Sequence, residues 1–101
     1  MKLFAFYCRD GEYSPRLRES FLKRHLDHVE AHIDRYAVAG PLKDGDRTVG
    51  SLLVIRGEDV ADARAFFETD PYFDAGVWQA IRVSEFLGVA GEWVGGVSWK
   101  E

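Results

Sequence analysis

One cysteine, one methionine and three prolines are all that this 101-residue chain holds of those types. A lone Cys8 excludes an internal disulfide framework and suits a reducing compartment. It sits in the apolar run Leu3-Phe4-Ala5-Phe6-Tyr7-Cys8, which favours a small core residue over a nucleophile. No apolar run approaches the ~20 residues that a bilayer-spanning helix needs. Nor does the N-terminus show the basic, apolar and small-residue succession of a secretory signal. The expectation is a cytoplasmic protein with no membrane partner. A basic excess is missing too: 13 Lys and Arg stand against 17 Asp and Glu, for a net charge of −4. Nucleic acids select for basic patches, so none is expected as a partner.

The remaining composition, 47% hydrophobic and 30% charged, is that of an ordinary globular domain. Three Trp, four Tyr and seven Phe supply more flat apolar surface than so small a core readily hides. Burial between subunits or around a pocket would absorb it.

Leu3 to Cys8 reads as a buried strand, closed by the turn Arg9-Asp10-Gly11. Ser14-Pro15 has the form of an N-cap with proline at the first helical position. From Pro15 to about Arg35 the period is helical, with Leu22, Leu26, Val29 and Ile33 as the inward stripe. Tyr36 to Leu42 is a second strand, and Pro41 places its end at a sheet edge or bulge. Thr48 to Ile55 is a third, apolar on both faces. Asp59 and Asp62 resemble a capping box opening a second helix, with Val60, Ala63, Phe66 and Phe67 inward. Ile81 to Phe86 alternates as a fourth strand; the glycine-punctuated tail bearing Trp93 and Trp99 shows no regular pattern. The order strand, helix, strand, strand, helix, strand is ferredoxin-like and α+β: a four-stranded antiparallel sheet with both helices on one face. Its other face is apolar as well, and pairing two such sheets in a homodimer would hide it.

Two features bear on chemistry. The first is Asp70-Pro71-Tyr72. Proline disfavours helix in the residue before it, which places Asp70 at the C-terminal, negative end of the second helix, a position suited to cations. A plain Asp-Pro turn that satisfies nearby backbone donors is the competing reading. The second is the set of three histidines, all on the first helix. At ~100° per residue, His25 and His32 fall within roughly 20° of each other, at the margin of the buried face. His28 lies aside and is expected to be solvated. His25 and His32 are about 10.5 Å apart along the axis, and the i, i+4 histidine pair of helical zinc motifs is missing. No metal site is expected. His25 is the candidate general acid or base.

At this point the residues resemble the YciI family, or YCII-related domain. Arg18 with His25-Leu26, then Ala39-Gly40-Pro41, Gly50-Ser51, and Asp70-Pro71-Tyr72 with Ala75-Gly76-Val77, follow the family's motifs in order across residues 1–88. The resemblance implies a ferredoxin-like fold assembled as a dimeric α+β barrel, with a pocket holding a catalytic pair, His25 and Asp70. It maps Ser51, Gly40 and Pro41 to the pocket wall, gives Arg18 a contact with an anionic substrate, and places Tyr72 beside them. It implies lyase or isomerase chemistry on small hydroxylated aromatic or lactone-like molecules, without a cofactor. Ser51 and backbone N–H groups near Gly40 or Gly50 would stabilise an enolate or phenolate oxygen. Phe4, Phe6, Tyr72 and Trp78 would favour a flat ligand. The alternative is a non-catalytic dimer that binds a small metabolite or serves as an accessory domain. A haem-binding or monooxygenase role rests on fold analogy alone. The tail, residues 89–101, falls outside the pattern as a separate extension.

Overall fold

The computed structural model describes residues 1–99. The elements run β1 (Lys2–Asp10), α1 (Ser14–Ala31), a 3-10 turn (Ile33–Arg35), β2 (Tyr36–Asp44), β3 (Arg47–Gly57), α2 (Val60–Phe67), α3 (Pro71–Ala75) and β4 (Trp78–Phe86). A two-residue hairpin, β5 (Ala90–Gly91) and β6 (Gly96–Val97), follows. The main sheet has the order β2-β3-β1-β4 and is antiparallel throughout. This is the ferredoxin-like α+β arrangement.

Alternation along the two central strands sorts the side chains. Phe4, Phe6 and Cys8 of β1 join Leu53 and Ile55 of β3 in a core closed by Ala63, Phe67 and Tyr72. Leu3, Ala5, Leu52 and Val54 line the opposite, helix-free face, where Trp93 borders the same groove. Gly50 belongs to the pairing of β1 with β3: a Cβ there would lie 2.1 Å from the Cys8 carbonyl oxygen. Only glycine lets the two strands approach so closely.

The structure corrects the inward stripe of α1. Leu22, Leu26 and Ile33 are 47%, 53% and 63% exposed; Val29 does pack on the core, joined by Leu17 and Phe21. The rotation is set where the helix begins. Ser14 is buried, accepting the Gly11 N–H and donating its hydroxyl to the Val77 carbonyl, so the helix starts pinned to the segment before β4. Ile33 falls beyond the helix, in the 3-10 turn. On α2, Asp59 accepts the Asp62 N–H at 2.8 Å, while the Asp62 carboxylate reaches the Glu58 N–H at 2.9 Å. Asp59 is thus the expected N-cap, but the Asp62 carboxylate bonds the N–H one residue before it instead of that of Asp59 itself, as a capping box would; Val60 is exposed rather than inward. The fourth strand starts three residues earlier than its alternation implies, at Trp78, beside a register shift at Arg9/Asp10. The tail is ordered as its short hairpin, with Trp93 83% exposed. Lys100 and Glu101, the end of the expected extension, lie outside the described residues.

Candidate active site

Asp70 is not left at the negative end of α2. Its backbone is extended and its side chain caps the next helix, accepting the Tyr72 N–H on Oδ1 at 2.8 Å, with Pro71 at the first position of α3. Proline there stops one helix and starts another. Gly76, in the left-handed region at φ 77°, closes α3 after five residues. The short helix therefore fixes the carboxylate, and local capping accounts for an acidic residue at this point.

The cap also carries a longer reach. The same Oδ1 lies 2.8 Å from His25 Nδ1, across 45 residues of sequence. Asp70 is 1% exposed and its Oδ2 has no hydrogen-bond partner among the described residues. A carboxylate can only accept, so Nδ1 carries the hydrogen, and in the neutral imidazole it is Nε2 that has the lone pair. Tyr72 holds the ring flat: the two ring centroids are 3.9 Å apart, with 2° between their planes. The Tyr72 hydroxyl donates to the Arg18 carbonyl at 3.2 Å, and burial raises its pKa above the ordinary tyrosine value.

His25 lines a cleft of about 320 Å³ between α1 and the β2–β3 edge of the sheet. Arg18, Ser51, Gly40, Pro41 and Tyr72 share its wall. The residues that the resemblance assigns to the site therefore lie together, His25, Arg18, Ser51, Gly40, Pro41 and Tyr72 at the cleft wall and Asp70 behind His25. Leu22, Leu26 and Val29, with Ala39 and Leu53, supply its apolar lining. Much of the apolar stripe assigned to the core thus faces this cleft.

Other expectations change. Phe4 and Phe6 are core residues, and Trp78 is buried behind Ser51, so of the four aromatics only Tyr72 lines the cleft. Arg18 stands at the wall, but Asp10 holds it in a two-toothed pair, Nε to Oδ2 at 2.7 Å and Nη2 to Oδ1 at 2.9 Å. Nη2 also reaches the Gly50 carbonyl at 3.0 Å and Ser51 Oγ at 2.9 Å. Its charge is balanced within the protein. Asp10 was hidden in the sequence because it belongs to a turn triplet and bears no periodic relation to Arg18.

The histidine order is also reversed. His28 is half-buried against Phe66 and Thr69, while His32 is exposed. The Thr69 hydroxyl donates to the Phe66 carbonyl at 2.6 Å, so it accepts from His28 Nε2 at 3.3 Å. Burial, with His32 and His25 nearby, holds the His28 pKa below the ordinary histidine value. Cys8 is fully buried and its thiol is pushed up to about 12, chiefly by burial, which makes it inert near neutrality. Among the described residues, no three His, Cys, Asp or Glu side chains converge as a metal site.

With this geometry in view, the comparison with known families is direct: the sequence profile of the YCII-related domain matches residues 2–87. The chain belongs to the YCII-related domain family. It is 29% identical over 93 residues to Protein YciI of Escherichia coli O6:H1, covering 83% of this chain and 95% of that protein. Protein YciI of Shigella flexneri matches to the same extent. Among solved structures, 5-chloro-2-hydroxyhydroquinone dehydrochlorinase from Burkholderia phenoliruptrix, in complex with 2,5-dihydroxybenzoquinone, is similar with a TM-score of 0.74. That match has 27% sequence identity and covers 89% of this chain and 96% of the other. The C-terminal hairpin of this YCII-related domain lies beyond the matched residues.

Proposed function

We propose that this YCII-related domain is a small acid–base enzyme of lyase or isomerase type, using no cofactor and acting on a small hydroxylated aromatic or lactone-like molecule. The 2.8 Å His25–Asp70 contact at the wall of an open cleft carries this reading. His25 Nε2 removes a proton from a substrate O–H or C–H, and the released electron pair becomes a new π bond. A leaving group then departs with its own pair, or the imidazolium returns the proton to a different atom. Asp70 fixes the tautomer and stabilises the imidazolium. Arg18, Ser51, Gly40, Pro41 and Tyr72 hold the substrate. Positioned acid–base catalysis of this kind contributes about 10²–10⁴ in rate.

The similarity to a dehydrochlorinase supports this class of chemistry, and a cleft of about 320 Å³ accommodates a single substituted ring. We further propose a cytoplasmic homodimer in which a second copy covers the helix-free sheet face.

The test is incubation with chlorinated hydroxyhydroquinones and small hydroxy-lactones, following chloride release and ring absorbance. Turnover that falls about 10²–10⁴-fold in both His25→Asn and Asp70→Asn supports the reading. Tight binding of such rings with no turnover by the wild-type protein would instead favour the non-catalytic, metabolite-binding alternative.

A further inference from the structure

The first helix carries three histidines, and the cleft uses only His25. The other two correct the expectation that no helical pair exists: His28 and His32 stand four residues apart, about one turn. Their ring centroids are 4.7 Å apart, and Phe66 flanks both rings at 5.6 and 5.5 Å. His32 is oriented by the end of its own helix. Its Nδ1 lies 2.9 Å from the His28 carbonyl oxygen, which can only accept, so Nδ1 carries the hydrogen. In the neutral ring Nε2 then has the lone pair, on an exposed residue. A backbone carbonyl that holds one ring nitrogen in this way is the common support of a metal-ligating imidazole.

Thr69 supplies a third donor atom. Its hydroxyl hydrogen goes to the Phe66 carbonyl at 2.6 Å, which leaves Oγ1 facing His28 Nε2 with a lone pair. Those two atoms are 3.3 Å apart, long for a hydrogen bond. The same separation is the edge of a zinc tetrahedron, about 3.3–3.4 Å for bonds of about 2.0–2.1 Å. With such bonds the ion lies about 3.2 Å from the centroid of its imidazole, so rings 4.7 Å apart subtend roughly 95° at a shared ion. That angle falls between the octahedral and tetrahedral values.

We infer that His28 Nε2, His32 Nε2 and Thr69 Oγ1 form a binding site for zinc or another imidazole-seeking divalent ion, with water completing the coordination. On binding, the hydrogen of the neutral His28 ring moves from Nε2 to Nδ1 through solvent. The lone pairs of Nε2 and Oγ1 then meet the ion together. Two imidazoles and one hydroxyl suit zinc, copper or nickel; magnesium and calcium seek oxygen sets. The Asp70 carboxylate, one residue beyond Thr69, is near enough to favour positive charge at His28. Arg35 lies over the Phe66 ring at 4.5 Å, but its donors are engaged by the Arg56 carbonyl and by Asp62. The ion ties the end of α1 to the residue before Asp70, as a clip and not a reagent. None of its three ligands lines the cleft, so the inference is independent of the proposed chemistry.

The test is titration of the whole chain, free of any histidine tag, with zinc chloride, followed by calorimetry and thermal melting; magnesium chloride is the control. Wild-type protein is expected to bind one zinc ion per chain and to melt at a higher temperature with zinc present. Magnesium should do neither. His32→Gln, at an exposed position, should weaken zinc binding about tenfold or more while the metal-free melting temperature stays unchanged. His28→Gln should weaken it as much. Thr69→Val keeps the shape and removes the hydroxyl, and should cost about tenfold; Thr69→Ser should restore the affinity. His25→Asn should leave binding in place. Zinc held no better than magnesium, or held equally well by His32→Gln, would overturn the inference. So would binding lost in His25→Asn, which would put the ion on the His25–Asp70 pair. Full affinity in Thr69→Val would overturn it too, by removing the third donor.

Discussion

At the scale of single residues, two side chains show how context overrides an isolated reading. Asp70 was recognisable from its proline, but not for the reason that proline alone supplies. The residue caps the helix that follows instead of closing the one before. Its partner across 45 residues has no local signature; only the shared motif pattern linked the two. His28 was expected to be solvated, yet Phe66 and Thr69 cover it. That burial has a measurable consequence. With its folded-state pKa depressed, neutral His28 is favoured in the native protein while the unfolded chain binds a proton more readily. The associated stability is present above the ordinary histidine value and is lost as pH falls through the depressed one. Urea midpoints of the wild-type protein should therefore decline more between about pH 8 and pH 5 than those of His28→Gln, with other titrating groups common to both. Parallel declines would show that His28 does not feel its surroundings.

At the scale of elements, α1 divides its apolar residues between two tasks. Leu17 and Phe21 face the core, Leu22 and Leu26 face the cleft, and Val29 touches both. Leu26→Ala should accordingly cost less than about 1 kcal/mol of stability while weakening ring binding. Phe67→Ala, fully inside the core, should cost about 3–5 kcal/mol. Chemical denaturation of the two variants separates the tasks. Hydrophobic period alone could not, because a core face and a pocket face use the same residue types. The pairing of β1 with β3 gives a second expectation. Gly50→Ala forces a Cβ against the Cys8 carbonyl, so the strands must part. A loss of about 1–3 kcal/mol is expected, with weakened ligand binding, since Gly50 and Ser51 both hold Arg18.

At the scale of the whole molecule, the Cα radius of gyration is 14.2 Å, against about 13 Å for a compact domain of 100 residues. The excess is in keeping with a C-terminal hairpin whose Trp93 is largely uncovered. That residue borders the helix-free groove lined by Leu3, Ala5, Leu52 and Val54. An apolar face of this kind is rarely left to water. Sedimentation equilibrium should give twice the 11.5 kDa chain mass for the proposed homodimer. Leu52→Lys, at the middle of the face, should return the mass to that of one chain with the secondary structure unchanged. A wild-type protein that sediments at 11.5 kDa would leave this face without the proposed partner.

Across the whole chain, the four strands of the main sheet, α1, α2 and the Asp59 cap were legible in the linear pattern, whereas α3 and the turn of Leu22 and Leu26 toward the cleft were not. Strand alternation, helical period and turn chemistry are local properties, and the motifs came in register. Which face of α1 meets the core was settled only in three dimensions, by the buried Ser14 bond that rotates the helix. So were the Asp10–Arg18–Ser51–Trp78 network and the covered His28. A hydrogen bond between residues far apart in the chain depends on the closure of the entire sheet, and no short window of residues carries its signature.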